Sequence, residues 1–161
     1  MITKNIISTI SFSVMLLLIL AVKSAGAQTT NDYVFIEPTA AEHEQLQEEY
    51  KGNSKVNFNM SMKPALYVYG QMMESRFVNN LFIYAASEPG ILKFGSGNVS
   101  LNNIDDYAND LAQLSGNVNG SIIIHSTNVF SGASGELLKE KLEAHTGLPV
   151  IMDVEQQPFS N

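Results

Sequence analysis

The sequence predicts an α/β fold, a three-layer sandwich in which a mainly parallel sheet carries helices on both faces. Three observations predict it. Short apolar runs alternate with helix-like stretches along most of the chain, the rhythm of strands joined by crossover helices. The run Leu81-Phe82-Ile83-Tyr84-Ala85-Ala86 is apolar without alternation, as a strand buried on both faces must be. The text SIIIHSTNVFSGASGELLKEKLEAHTGLPVIMD, residues 121–153, reads in turn as buried strand, polar turn, amphipathic helix and strand.

Tyr33 to Ile36 is the first predicted strand, ended by Pro38. Thr39 and Glu42 then have the spacing of a capping box, so a helix is expected from there to about Tyr50, with Gly52 stopping it. Val56 to Met60 alternates apolar and polar residues, which suits a short edge strand. After Pro64, the residues Leu66, Tyr69, Met73 and Phe77 recur at helical spacing. The β-prone Tyr67-Val68-Tyr69 would also allow a strand, but parallel neighbours need a crossover, which favours the helix.

Leu81 to Ala86 is expected to be a central strand leading into a tight turn at Ser87-Glu88-Pro89-Gly90. Ile91 to Phe94 and Val99 to Leu101 flank Gly95-Ser96-Gly97 as a small hairpin. A helix follows from about Asn103, carrying Ile104, Tyr107, Ala108, Leu111 and Leu114 on one face. Ser121 to His125 is the next central strand. Ser134 is read as the cap of a helix that bears Leu137, Leu138 and Leu142 and ends near Gly147, and Pro149 to Val154 closes the sheet.

Residues 1–27 have the three parts of a secretory signal: Lys4, an apolar run from Ile6 to Val22, and the small residues Ala25-Gly26-Ala27. Cleavage is expected there, leaving a single domain over residues 28–161 in a periplasm or outside the cell. The alternative is a retained amino-terminal anchor, to which Lys23 lends some support, and an uncleaved signal would be the only membrane attachment. Removing this segment takes two of nine basic residues and none of sixteen acidic ones, leaving a balance of −9. Such acidity argues against nucleic acid or anionic lipid as partner. The chain has no cysteine, hence no thiol nucleophile, disulfide or lipoprotein acceptor.

YVFIEPTAAEHEQL, LFIYAASEPGILKFGSGNVSLNNIDDYANDLAQL and SIIIHSTNVFSGASGELLKEKLEAHTGLPV follow, in order and spacing, a domain family of unknown function, domain of unknown function 4347. The chain resembles it over nearly all of residues 28–161. That family is found near the amino terminus of very large bacterial surface proteins of the adhesin type. It is similar in turn to the caspase and gingipain group of cysteine peptidases, whose sandwich bears a histidine after one central strand and a cysteine after the next. The resemblance therefore implies a caspase-like fold. A family pattern like Ser-His-Gly-Ser-x-Gly falls on Ala85 to Gly90, setting Ala86 at the histidine position. A pattern like Tyr-Gly-Cys-Asn falls on His125 to Asn128, setting Thr127 at the cysteine position. Neither member of the dyad is present.

The expected function is accordingly that of a secreted, catalytically degenerate domain that binds an unknown protein or surface ligand. The expected site is a crevice at the carboxyl ends of the central strands, lined by Ser87, Glu88, His125, Ser126, Thr127 and Asn128. Two alternatives stand beside it. One is a hydrolase using Thr127 or Ser126 with His125; the other is an inhibitor or immunity partner of an active relative, suggested by the small format.

No cofactor or metal is expected. Asp105, Asp106 and Asp110 lack the spacing of an EF-hand loop and suit a first helical turn. His43 sits among Glu42, Glu44, Glu48 and Glu49 on a solvated helix face, and His145 is placed to meet a helix's carbonyl end. Asn59, Asn98 and Asn119 fit the glycosylation pattern, and SGASG reads as a loop with a cap rather than an anion cradle.

Overall fold

The computed structural model describes residues 31–59 and 61–153. The expected signal at residues 1–27, Met60 and Val154 lie outside the described residues. Within them, eight strands and four α-helices follow one another: β1 (Tyr33–Ile36), α1 (His43–Glu49), β2 (Val56–Phe58), α2 (Ala65–Met73), β3 (Leu81–Tyr84), β4 (Ala86–Glu88), β5 (Ile91–Phe94), β6 (Gly97–Ser100), a 3-10 turn (Ile104–Tyr107), α3 (Ala108–Ser115), β7 (Ile122–His125), α4 (Gly132–Thr146) and β8 (Val150–Asp153).

Five strands form one wholly parallel sheet in the order β2-β1-β3-β7-β8. The chain moves outward from β1 to β2, then reverses past β1 to β3, β7 and β8. Right-handed crossovers in opposite directions put their helices on opposite faces. On one face α2, α3 and α4 bury Leu66, Tyr69, Met73, Leu111, Leu114, Leu138 and Leu142 against Phe35, Leu81, Ile83, Ile122 and Ile124. Phe35 stacks on Tyr69 with ring centroids 3.8 Å apart. On the other face, among the described residues, α1 is the helix that packs, its Leu46 meeting Val34, Ile36, Ala40 and Tyr84. The α/β sandwich with a mainly parallel sheet is as expected.

Several elements differ from expectation for local physical reasons. The capping box does not form: α1 starts at His43 with Glu42 as an uncapped N-cap. The Thr39 hydroxyl is used elsewhere, donating to the Lys93 carbonyl and accepting from the Ala86 amide at 3.4 Å. α2 ends at Met73, so Phe77 is off the helix and 71% exposed. The apolar run from Leu81 to Ala86 is not one strand. It leaves the central sheet after Tyr84, and Ala86 to Glu88 becomes β4, the edge of an antiparallel sheet β4-β5-β6. The predicted turn at Ser87 to Gly90 is thus half strand, and only Pro89-Gly90 turns. Gly90 adopts φ +75° there, and a Cβ on it would lie 2.8 Å from the Ser134 hydroxyl.

The helix expected from Asn103 begins as a 3-10 turn before α3. Ser131, not Ser134, is the N-cap of α4, and Leu137 faces solvent. α4 ends as predicted, with Gly147 in the left-handed conformation at φ 68°. His145 does not serve the helix end; its Nε2 lies 2.8 Å from Asp105, which also accepts two 2.7 Å bonds from Lys141. Asn59 is buried and donates to Glu37 at 2.7 Å, so it is closed to glycosylation in the folded chain.

Candidate functional site

Parallel strands end together, so their following loops gather at one edge of the sheet. Glu37, Ala85 and Ser126 follow the last residues of β1, β3 and β7. Between these loops lies a crevice of about 230 Å³, lined by Ala40, Ala41, Glu42, Ala85, Ala86, Ser87, His125, Ser126 and Thr127. Four side chains that sequence reasoning assigned to the crevice, Ser87, His125, Ser126 and Thr127, do line it. Ala86 and Thr127, the positions matched to the dyad, line the same space.

The other two expected residues do not line it. Asn128 stands behind the wall, where its Oδ1 lies 3.0 Å from the Ser87 hydroxyl. Glu88 is exposed and ion-paired with Lys93, its diagonal neighbour on β5. It is the last residue of β4, the one farthest along the strand from Ala85 and next to the Pro89-Gly90 turn, and its carboxylate is taken by Lys93.

The serine hydroxyls are occupied. Ser87 Oγ and Ser126 Oγ are 3.0 Å apart, and Ser126 Oγ also accepts from the Val129 amide at 3.4 Å. The imidazole of His125 is occupied differently, stacked on the Tyr84 ring at 4.5 Å and 28°. Its Nδ1 is buried without a hydrogen-bond partner, as is the Tyr84 hydroxyl. Ser126 is therefore oriented by Ser87 and the following backbone, not by an imidazole base. Asp153 faces His125 across β7 and β8 in the sheet register. Burial first, and then the nearby Tyr50, Asp153, Glu42 and Glu49, hold the Tyr84 hydroxyl protonated far above the ordinary phenol range.

A second polar centre lies at the carboxyl end of β1. Glu37 is completely buried and its carboxylate accepts from Asn59 Nδ2 at 2.7 Å, from the Gly95 amide at 2.9 Å and from the Tyr69 hydroxyl. These donors come from the end of β2, the β5–β6 turn and α2. Glu37 thus fixes the loop that carries Ala40, Ala41 and Glu42 into the crevice. The Tyr69 hydroxyl is held well above its usual range, by burial most and then by this carboxylate. Neither Glu37 nor Tyr84 was found from sequence. Both sit at the carboxyl end of an apolar strand run, where a polar atom among hydrophobic residues is the one available signal.

Among the described residues no group of histidine and carboxylate side chains is arranged to hold a metal ion, and no helix is long and apolar enough to cross a membrane. Asp105 is engaged with Lys141 and His145.

The fold and site define a parallel α/β sandwich with a small, alanine-walled crevice at the carboxyl ends of its central strands. The chain belongs to the family described as Domain of unknown function (DUF4347), whose sequence pattern it matches over residues 33–155. No curated protein and no solved structure matches it.

Proposed function

We propose that this protein is a secreted, catalytically degenerate caspase-like domain that acts by binding a protein or surface ligand in the crevice. The observation that carries this reading is the convergence of Ala86 and Thr127 on one small space, in a chain without cysteine. On the resemblance to cysteine peptidases, these are the two positions at which the reacting groups would stand. An intact scaffold with neither thiol nor imidazole at those positions retains shape complementarity but has lost its nucleophile. At about 230 Å³ the crevice is smaller than the roughly 300–1,000 Å³ typical of small-molecule sites, which suits one side chain of a larger partner.

Immobilised protein, challenged with the secreted proteins of the producing organism, tests the reading. Thr127 is exposed at the crevice mouth, so Thr127→Trp fills the space without disturbing the core. The wild type is expected to retain a partner that Thr127→Trp does not. Equal retention by both removes the crevice as the binding site.

A further inference from the structure

Two polar atoms beside the crevice are buried with nothing to bond. Among the described residues, the Tyr84 hydroxyl and His125 Nδ1 are the buried side-chain atoms that lack a hydrogen-bond partner. They belong to one unit: Tyr84 and His125 are opposite each other in the β3–β7 register, and their rings stack at 4.5 Å and 28°. Tyr84, only 2% exposed, runs directly into Ala85, and Ala85 and His125 both line the crevice. The stacked pair therefore stands against that space. Unpaired buried polar atoms are a standing cost to a fold, and native chains keep few of them. Two on adjacent rings at the mouth of one crevice mark a place where a ligand supplies the missing bonds.

The chemistry of the two atoms defines what can supply them. The Tyr84 hydroxyl keeps its proton and needs an acceptor. A singly protonated imidazole has one donor and one acceptor nitrogen, and a buried N–H without an acceptor is the costlier of the two orphans. The proton therefore sits on Nε2, and Nδ1 is an acceptor that needs a donor. A carboxylate cannot donate to Nδ1, and the nearby Asp153, Glu42 and Glu49 already act on the hydroxyl with the same sign of charge. An ammonium cannot accept from Tyr84. A hydroxyl only repeats what the water it displaces would offer. A primary carboxamide carries its oxygen and one N–H on the same edge, so it meets two groups standing side by side on one sheet face. The amide of a trans main chain points its C=O and N–H in opposite directions and does not.

We propose that the crevice takes a glutamine or asparagine side chain of a partner polypeptide, its amide oxygen accepting from the Tyr84 hydroxyl and its NH₂ donating to His125 Nδ1. This rests on the crevice-binding reading and names the group that the crevice selects.

The test is an NMR titration of the full chain that follows the amide signals of Ala86 and Thr127, which line the crevice. The probes are butyramide, butyrate, butylammonium, 1-butanol and, for the main chain, N-methylpropionamide. Butyramide is expected to bind at least about fivefold more tightly than each of the others. Tyr84→Phe and His125→Phe keep an aromatic ring in place and should each weaken butyramide about fivefold. The melting temperature of free Tyr84→Phe should hold or rise by up to about 3 °C, because an unpaired hydroxyl has been removed. A fall would show that the hydroxyl is bonded within the folded chain and overturns the proposal. Equal binding of butyramide and any other probe, or no effect of the two variants, overturns it as well and leaves water as the occupant. The chain's own Gln156 and Gln157 are a second source of carboxamide. Gln156→Ala with Gln157→Ala should leave butyramide binding unchanged, and tighter binding would make the tail the occupant and overturn the partner. If Thr127→Trp loses the captured natural partner while Tyr84→Phe and His125→Phe keep it, the crevice reading stands and this inference falls.

Discussion

Replacing Glu37 with leucine tests whether its carboxylate is the anchor of the crevice loop. Leucine keeps most of the side-chain volume, so the change removes an acceptor without opening a large cavity. Three donors lose their partner: Asn59 Nδ2, the Tyr69 hydroxyl and the Gly95 amide. A buried donor left unsatisfied costs about 1–3 kcal/mol. Asn59 and Tyr69 are buried and bear that cost in full, whereas Gly95 is exposed and water replaces part of its bond. The sum for Glu37→Leu is about 4 kcal/mol. With an m-value of about 2 kcal/mol/M, the urea midpoint falls by about 2 M.

The decisive comparison is Tyr69→Phe in both backgrounds. In the wild type it removes a hydrogen bond and costs about 1–2 kcal/mol. In the Glu37→Leu background it removes an orphaned hydroxyl, so it is neutral or stabilising. The double-mutant cycle should give a coupling of about 2 kcal/mol. A Tyr69→Phe cost that is the same in both backgrounds refutes the assignment of Glu37 as the hub.

Two further outcomes are expected. If Ala86 and Thr127 occupy the former dyad positions, the thiol introduced by Thr127→Cys should react with iodoacetamide about tenfold faster near pH 6 when Ala86→His is added, because a neighbouring imidazolium lowers a thiol's pKa; equal rates separate the two positions. Asp105 is held below the usual carboxylate range by hydrogen bonds from Lys141 and then His145. A carboxylate with a depressed folded-state pKa stabilises the fold above its unfolded value and loses that contribution as pH falls through the folded one. Asp105→Asn should therefore lower the melting temperature near neutral pH, and the difference should vanish in acid below the folded-state pKa of Asp105; a difference that persists there contradicts the ion-pair account.

The parallel sheet was legible because its strands are short apolar runs, and burial on both faces leaves little else such runs can be. Helix ends were less legible, since Thr39 and Ser134 fit capping patterns that tertiary contacts overrode. Thr39 found the Lys93 carbonyl, and Ser134 lies within α4 against Gly90. The departure of the chain from the central sheet at Ala85 left no mark in hydropathy, because Ala86 is as apolar as the residues before it. The crevice was located in sequence through its serines and His125. Glu88 was misassigned because its ion pair with Lys93 arises only when β4 pairs with β5, which the local sequence does not announce. Glu42 read as a solvated helix acid, and only the fold brings it to the crevice.

The change of sheet after Tyr84 also bears on how the molecule assembles. β3 and β7 pair directly, yet the β4–β6 sheet, the 3-10 turn and α3 lie between them in the chain. Joining two strands across so long an intervening segment has an entropic cost that grows with its length. The β5–β6 hairpin and α3 are local structures that can form before that pairing and shorten the effective loop. The small sheet therefore acts as a splint, and substitutions that weaken the hairpin should slow folding through the closure of β3 on β7.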